Sequence, residues 1–210
     1  MSVKGQKIFN LLSESYPYAE TELNFSNPYE LLVAVILSAQ CTDKRVNQVT
    51  PDLFKAYPDA YAMQNAYQPD VERLIHSCGF FRNKAKNIIS ACKKIVEEFG
   101  GEVPNTVERL ESLPGVGRKT ANVVYSVAFG GDAIAVDTHV FRVARRLGLS
   151  TGTTPKKVEK DLNLAIPKDL WGYAHHLFIF HGRRTCHSRK PNCKECKLQD
   201  FCTYFRGRDE

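Results

Sequence analysis

Residues 113–124 read LPGVGRKTANVV. A proline and two glycines make a tight turn, and Ala121, Val123, Val124, Val127 and Ala128 then recur at helical spacing. Lys119 therefore opens a helix. The first turn of a helix carries positive partial charge and favours Asp or Glu over a cation, so a lysine there, beside Arg118, is out of place. The turn has its own chemistry. Gly115 and Gly117 open backbone conformations closed to other residues, so their amides can face outward at a helix N-terminus and hold phosphate without side-chain charge.

Working outward, nearly every segment reads as helix. Asn27-Pro28-Tyr29-Glu30 is a start signal, with a cap, a first-position proline and a glutamate placed to reach back. Leu31 to Ala39 is apolar all round, as a central buried helix is. Thr42-Asp43 starts the next helix, with Val46, Val49 and Leu53 on one face. Asp70 is expected to cap a short helix ending at Gly79, and Asn83 to Phe99 forms a long one stopped by Gly100-Gly101. Asn105 is expected to cap the short helix before the quoted turn. Asp137 starts a helix to about Leu147, and two more run from about Lys156 to Ala165 and from Leu170 to His181. Two short helices flanking LPGVG have the form of a helix–hairpin–helix clamp on a DNA backbone, a contact blind to base sequence. A plain connection between helices is the bland alternative. No hairpin of strands is legible, so the fold class is all-α.

The chain has 210 residues, 43% of them hydrophobic and 25% charged, with a net charge of +6. Those values fit a globular protein and fall short of a strong nucleic-acid footprint on charge alone. No signal-peptide core and no apolar run long enough to span a membrane is present, so the expected compartment is the cytoplasm, where thiols stay reduced. Cys41, Cys78 and Cys92 lie in apolar segments and read as core cysteines. The other four, Cys186, Cys193, Cys196 and Cys202, are spaced C-x6-C-x2-C-x5-C. Four thiolates so close together point to tetrahedral zinc or an iron–sulfur cluster. A zinc site usually pairs two CxxC units and only one is present; the wider gaps suit a bulkier core and favour [4Fe–4S]. The first gap carries Arg189 and Lys190, a basic loop able to face an anion.

Lys119 and Asp137 each have a plain reading, as a solvated lysine and a helix cap. Together they suggest more. A nucleophilic amine must be neutral, and an ordinary lysine near pKa 10.4 is neutral about once in a few thousand at pH 7. A helix N-terminus, Arg118 and partial burial would each favour the neutral form. A carboxylate such as Asp137 would accept the amine's proton or shield cationic charge on a sugar.

LPGVGRKTANVV, then VDTH with its aspartate 18 residues beyond the lysine, then the four-cysteine pattern, resembles the endonuclease III family of helix–hairpin–helix, Gly/Pro-loop–Asp DNA repair glycosylases. ELNFSNPYELLVAVILSAQCTD resembles the same family, and the similarity runs from about Glu22 to Cys202. The resemblance implies a bifunctional glycosylase and abasic-site lyase acting on oxidised pyrimidines in duplex DNA. Lys119 would attack C1′ of a flipped nucleotide and form a Schiff base, Asp137 would assist, and β-elimination would cut 3′ to the lesion. Gln40 matches the family's intercalating glutamine; Phe80 is the candidate wedge. DNA contacts are expected from Gly115, Gly117, Arg118, His139, Arg189 and Lys190. The implied architecture is two helical domains flanking a DNA-binding cleft. Residues 22–132 would carry the hairpin, and residues 1–21 with 133–210 would carry a [4Fe–4S] cluster on Cys186, Cys193, Cys196 and Cys202. The protein would be a cytoplasmic, nucleoid-associated monomer with no membrane partner. Alternatives are a monofunctional adenine or photodimer glycosylase of the same superfamily, and a non-enzymatic helix–hairpin–helix module with structural zinc.

Overall fold

The structure, a computed structural model, describes residues 3–207. Asn27 accepts the amide of Glu30 at 2.9 Å, and the Glu30 carboxylate accepts the amide of Ser26 at 2.6 Å. This reciprocal cap follows α1 (Val3–Ser15) and launches α2 (Pro28–Ser38). Every side chain from Leu31 to Leu37 is buried, because other helices surround α2. It packs on α3 (Asp43–Ala56), on α6 (Phe81–Phe99) and on α8 (Arg118–Phe129). Truncating a fully buried leucine such as Leu31 or Leu37 to alanine would cost about 2–5 kcal/mol.

Three local expectations change. Asp70 does not cap a helix. The short helix α5 (Gln68–Leu74) starts from Tyr67 with Pro69 in its first turn, and Asp70 lies inside that turn, 3.5 Å from Arg73. The helix α7 (Val107–Glu111) is capped by Thr106, whose hydroxyl accepts the Arg109 amide at 3.3 Å, rather than by Asn105. An unanticipated helix, α4 (Ala60–Gln64), packs on α6 and is capped by Asp59, which accepts the Ala62 amide at 2.8 Å.

The remaining helices are α9 (Thr138–Arg146), α10 (Pro155–Ala165), α11 (Trp171–Arg184) and α12 (Thr203–Arg206). No strand occurs among the described residues, and none of their helices is long and apolar enough to cross a membrane. The chain divides into two compact units, residues 22–131 and residues 1–21 with 132–210. The first holds α2 to α8 around the α2 core. In the second, Ile8 and Leu12 of α1 share a core with Val140, Val143, Leu177 and Phe178. Asp132 falls with the second unit, where its carboxylate lies 3.7 Å from Lys168.

Candidate nucleic-acid interface and cysteine site

The hairpin of α7 and α8 turns on Gly115. Its φ of +77° suits only glycine, and a Cβ there would stand 2.7 Å from Asn87 Cβ. Gly117 differs from expectation: at φ −91° it occupies extended backbone open to any residue, and a Cβ would meet nothing within 4 Å. No internal demand explains glycine at 117. It is the N-cap of α8, has no side chain to satisfy the first-turn amides, and no acid stands in that turn.

Lys119 is the second residue of α8 and is exposed, so the expected partial burial is absent. Arg118 leans back across the hairpin, its Nη1 3.1 Å from Glu111 Oε2, which compensates its charge and ties the two helices.

The turns carrying Gln40 and Phe80 meet, since a Cβ on Gly79 would lie 3.4 Å from the Gln40 carbonyl oxygen. Both residues hold left-handed backbone, at φ 54° and 56°, and both are exposed. At 64% exposure Phe80 is not a core residue, whereas Phe81 packs against the core. Left-handed non-glycine residues are uncommon and concentrate where backbone strain serves a site.

In the other unit, the buried run Ala133–Val136 leads to Asp137, with the Ala135 carbonyl held 2.8 Å from His175 Nδ1. Asp137 caps α9 through one oxygen, Oδ1, which accepts the amides of His139 and Val140, each at 2.8 Å. The cap does not use Oδ2. Burial holds His139 below the ordinary histidine range, and its Nδ1 lies 3.1 Å from Arg142.

The four C-terminal cysteines line one recess of about 340 Å³, counting its open mouth. Leu147, Pro191 and Phe205 give it apolar walls. His181 Nε2 faces Cys196 Sγ at 3.8 Å, and its Nδ1 lies 3.2 Å from the Tyr16 hydroxyl. Burial pushes His181 down to about 4, so it is neutral near pH 7. Burial raises the thiols of Cys196 and Cys202. Among the described residues, no three His, Cys, Asp or Glu side chains form a group that could hold a single metal ion. Arg189 and Lys190 stand exposed on the loop between the first two cysteines.

Two residues escaped the sequence reading. Arg142 donates to the carbonyls of Gly182 and Cys186 at 2.9 and 3.1 Å. Arg146 donates to the carbonyls of His187 and Ser188 at 2.6 and 3.0 Å and reaches Cys186 Sγ at 3.4 Å. Both belong to α9, so the helix that Asp137 caps also fastens the cysteine loop. Their partners lie 40 or more positions away in sequence, and the only local hint was two arginines four residues apart after VDTH.

Comparison with known proteins decides the family. Residues 33–168 match the model of the HhH-GPD superfamily base excision DNA repair proteins. Endonuclease III of Synechocystis sp. is 54% identical over 201 residues, covering 95% of this chain and 91% of that protein. The chain belongs to the endonuclease III family. The Escherichia coli K12 endonuclease III is 45% identical over 201 residues, covering 96% and 95%. Among solved structures, a trapped endonuclease III–DNA covalent intermediate superposes with a TM-score of 0.92 at 45% identity, covering both chains fully. As an endonuclease III family member, the protein is a base excision repair enzyme, a bifunctional DNA glycosylase and abasic-site lyase. The monofunctional and non-enzymatic alternatives are not favoured.

Proposed function

We propose that this enzyme removes oxidised pyrimidines from duplex DNA through a Schiff base on Lys119 and then cuts the abasic strand. The observation that carries the reading is Lys119 itself, a lysine standing exposed in the first turn of an uncapped helix, directly after a glycine turn. Its exposure at the end of the glycine turn leaves the amine open to a nucleotide flipped from a duplex laid over the hairpin. Asp137, through the oxygen its cap leaves unused, assists by accepting a proton or by shielding cationic charge that develops on the sugar. The amine then bonds to C1′ as the C1′–N bond breaks and its electron pair leaves with the base. Ring opening gives the iminium, and loss of a C2′ proton expels the 3′ phosphate.

Backbone amides at Gly115 and Gly117, with Arg118, hold a DNA phosphate in this reading. Flipping a nucleotide costs a few kcal/mol, and Gln40 and Phe80 fill the gap it leaves. Their exposure and left-handed backbone support this role. His139, Arg189 and Lys190 add contacts to the backbone. Residues 22–131 act as the hairpin domain, and residues 1–21 with 132–210 as the cluster domain. Cys186, Cys193, Cys196 and Cys202 hold a [4Fe–4S] cluster, supported by four thiols lining one recess with apolar walls. With four thiolates committed to it, such a cluster would serve structure rather than bond cleavage and would stiffen the basic loop. The protein acts in the cytoplasm, on nucleoid DNA, as a monomer.

Borohydride reduction on a thymine glycol duplex tests the proposal. The parent protein should give a covalent protein–DNA adduct, and Lys119→Gln should give none while binding duplex nearly as well. An adduct surviving in that variant would move the nucleophile elsewhere.

A further inference from the structure

Two cysteines outside the C-terminal recess lie in the paired turns that carry Gln40 and Phe80. Cys41 follows Gln40 in the turn between α2 and α3, and Cys78 stands two residues before Phe80 in the turn between α5 and α6. Both thiols are free, and the two are near enough that Cys41 helps to raise the thiol of Cys78. The main chains converge as well, with the Gly79 Cβ position 3.4 Å from the Gln40 carbonyl. Cys78 is fully buried while Cys41 is partly open to solvent. Burial and Cys41 push the Cys78 thiol up to about 11, and the nearby charges of Lys84 and Arg45 act the other way. Lys84 is itself buried, with its Nζ donating to the Leu37 carbonyl at 2.9 Å. Cys92, buried elsewhere in the same core and raised to about 12, has neither a thiol partner nor a cation acting on it.

We propose that Cys41 and Cys78 are a modification site, a dithiol that a hydroperoxide converts reversibly into a disulfide pinning the two turns together. The Cys41 sulfur attacks the peroxide O–O bond, releasing an alcohol, or water from hydrogen peroxide, and becoming a sulfenic acid. The Cys78 sulfur then attacks Cys41, forming the S–S bond as the sulfenic oxygen leaves as water. The two thiols are oxidised together and the peroxide is reduced. A small dithiol reverses the step by exchange. The disulfide fixes the spacing of the turns bearing Gln40 and Phe80. That this alters gap filling in damaged DNA rests on the function proposed above; the thiol chemistry itself does not.

The test is peptide mapping of the full-length protein after hydrogen peroxide and alkylation. Trypsin should release residues 74–82 joined to residues 8–44. The joined fragment should be two hydrogens lighter than the free pair, and dithiothreitol should separate it. In Cys78→Ala the reaction should stop at a Cys41 sulfenic acid that dimedone labels; in Cys41→Ser neither product should form. Cys41 recovered only as sulfinic or sulfonic acid beside an alkylated Cys78 would overturn the proposal. So would an unlabelled Cys41 in Cys78→Ala. The readout needs no DNA, so a failed adduct experiment and a failed disulfide are separate results.

Discussion

At the scale of the residue, Asp137 joins an observed role, the cap through Oδ1, to the proposed one in catalysis. Oδ1 is committed to the amides of His139 and Val140, and an asparagine carbonyl caps nearly as well as a carboxylate. Asp137→Asn is therefore expected to change stability by less than about 1 kcal/mol while lowering the single-turnover glycosylase rate by about 10²-fold or more, the usual loss when a positioned base is removed. Equal losses in melting temperature and rate would reduce Asp137 to a cap. His176 allows a second prediction. Burial pushes it down to about 4, whereas an unfolded histidine titrates near 6.5. Between those values the unfolded chain binds a proton that the folded chain refuses, so stability falls as pH falls through that window, by about 3 kcal/mol in all. Melting curves from pH 7 to 4 should show this slope in the parent and lose part of it in His176→Gln.

At the scale of the element, the hairpin separates folding from binding. Gly115→Ala must hold φ +77° and displace Asn87, and should destabilise by about 1–3 kcal/mol. Gly117→Ala faces neither obstacle and should cost under about 1 kcal/mol as a poorer cap. Yet a methyl group at 117 stands where the proposed phosphate approaches. Melting temperature and duplex affinity measured together should therefore split, with Gly115→Ala losing both and Gly117→Ala losing mainly affinity. Sequence conveyed most of this level. Asn27-Pro28-Tyr29-Glu30 and the αL stop at Gly100 were legible because cap and stop signals act over four or five residues. Asp70 and Asn105 were misjudged because neighbouring candidates compete: Thr106 caps as well as Asn105, and Pro69 needs a place in a first turn. The mates of Arg142 and Arg146 were invisible, since nothing local encodes a contact made across 40 residues of chain.

At the scale of the whole molecule, the two ends of the chain share one unit. Ile8 and Leu12 are 1% and 2% exposed within the core formed by residues from 132 onward. Deleting residues 1–21 removes these core side chains, at about 2–5 kcal/mol for each large one lost. Amide exchange should then accelerate in Thr138–Arg146 and Trp171–Arg184 while Pro28–Ser38 keeps its protection. Uniform loss in all three helices would mean the units do not fold separately. Duplex affinity should also fall steeply with salt, because each neutralised phosphate releases counterions; a flat response would contradict the clamp.

The helix Thr138–Arg146 has different duties at its two ends, with Asp137 at the start and Arg142 and Arg146 gripping the cysteine loop further along. Its nine residues span only about 14 Å, too short to bend between them. A copy of the protein whose loop is unformed lacks the loop carbonyls that Arg142 and Arg146 grip, and the rod is then held chiefly by its buried face of Val140, Val143 and Ala144. On the function proposed above, one fault in that loop would be felt twice, in its own assembly and at the aspartate that begins the rod.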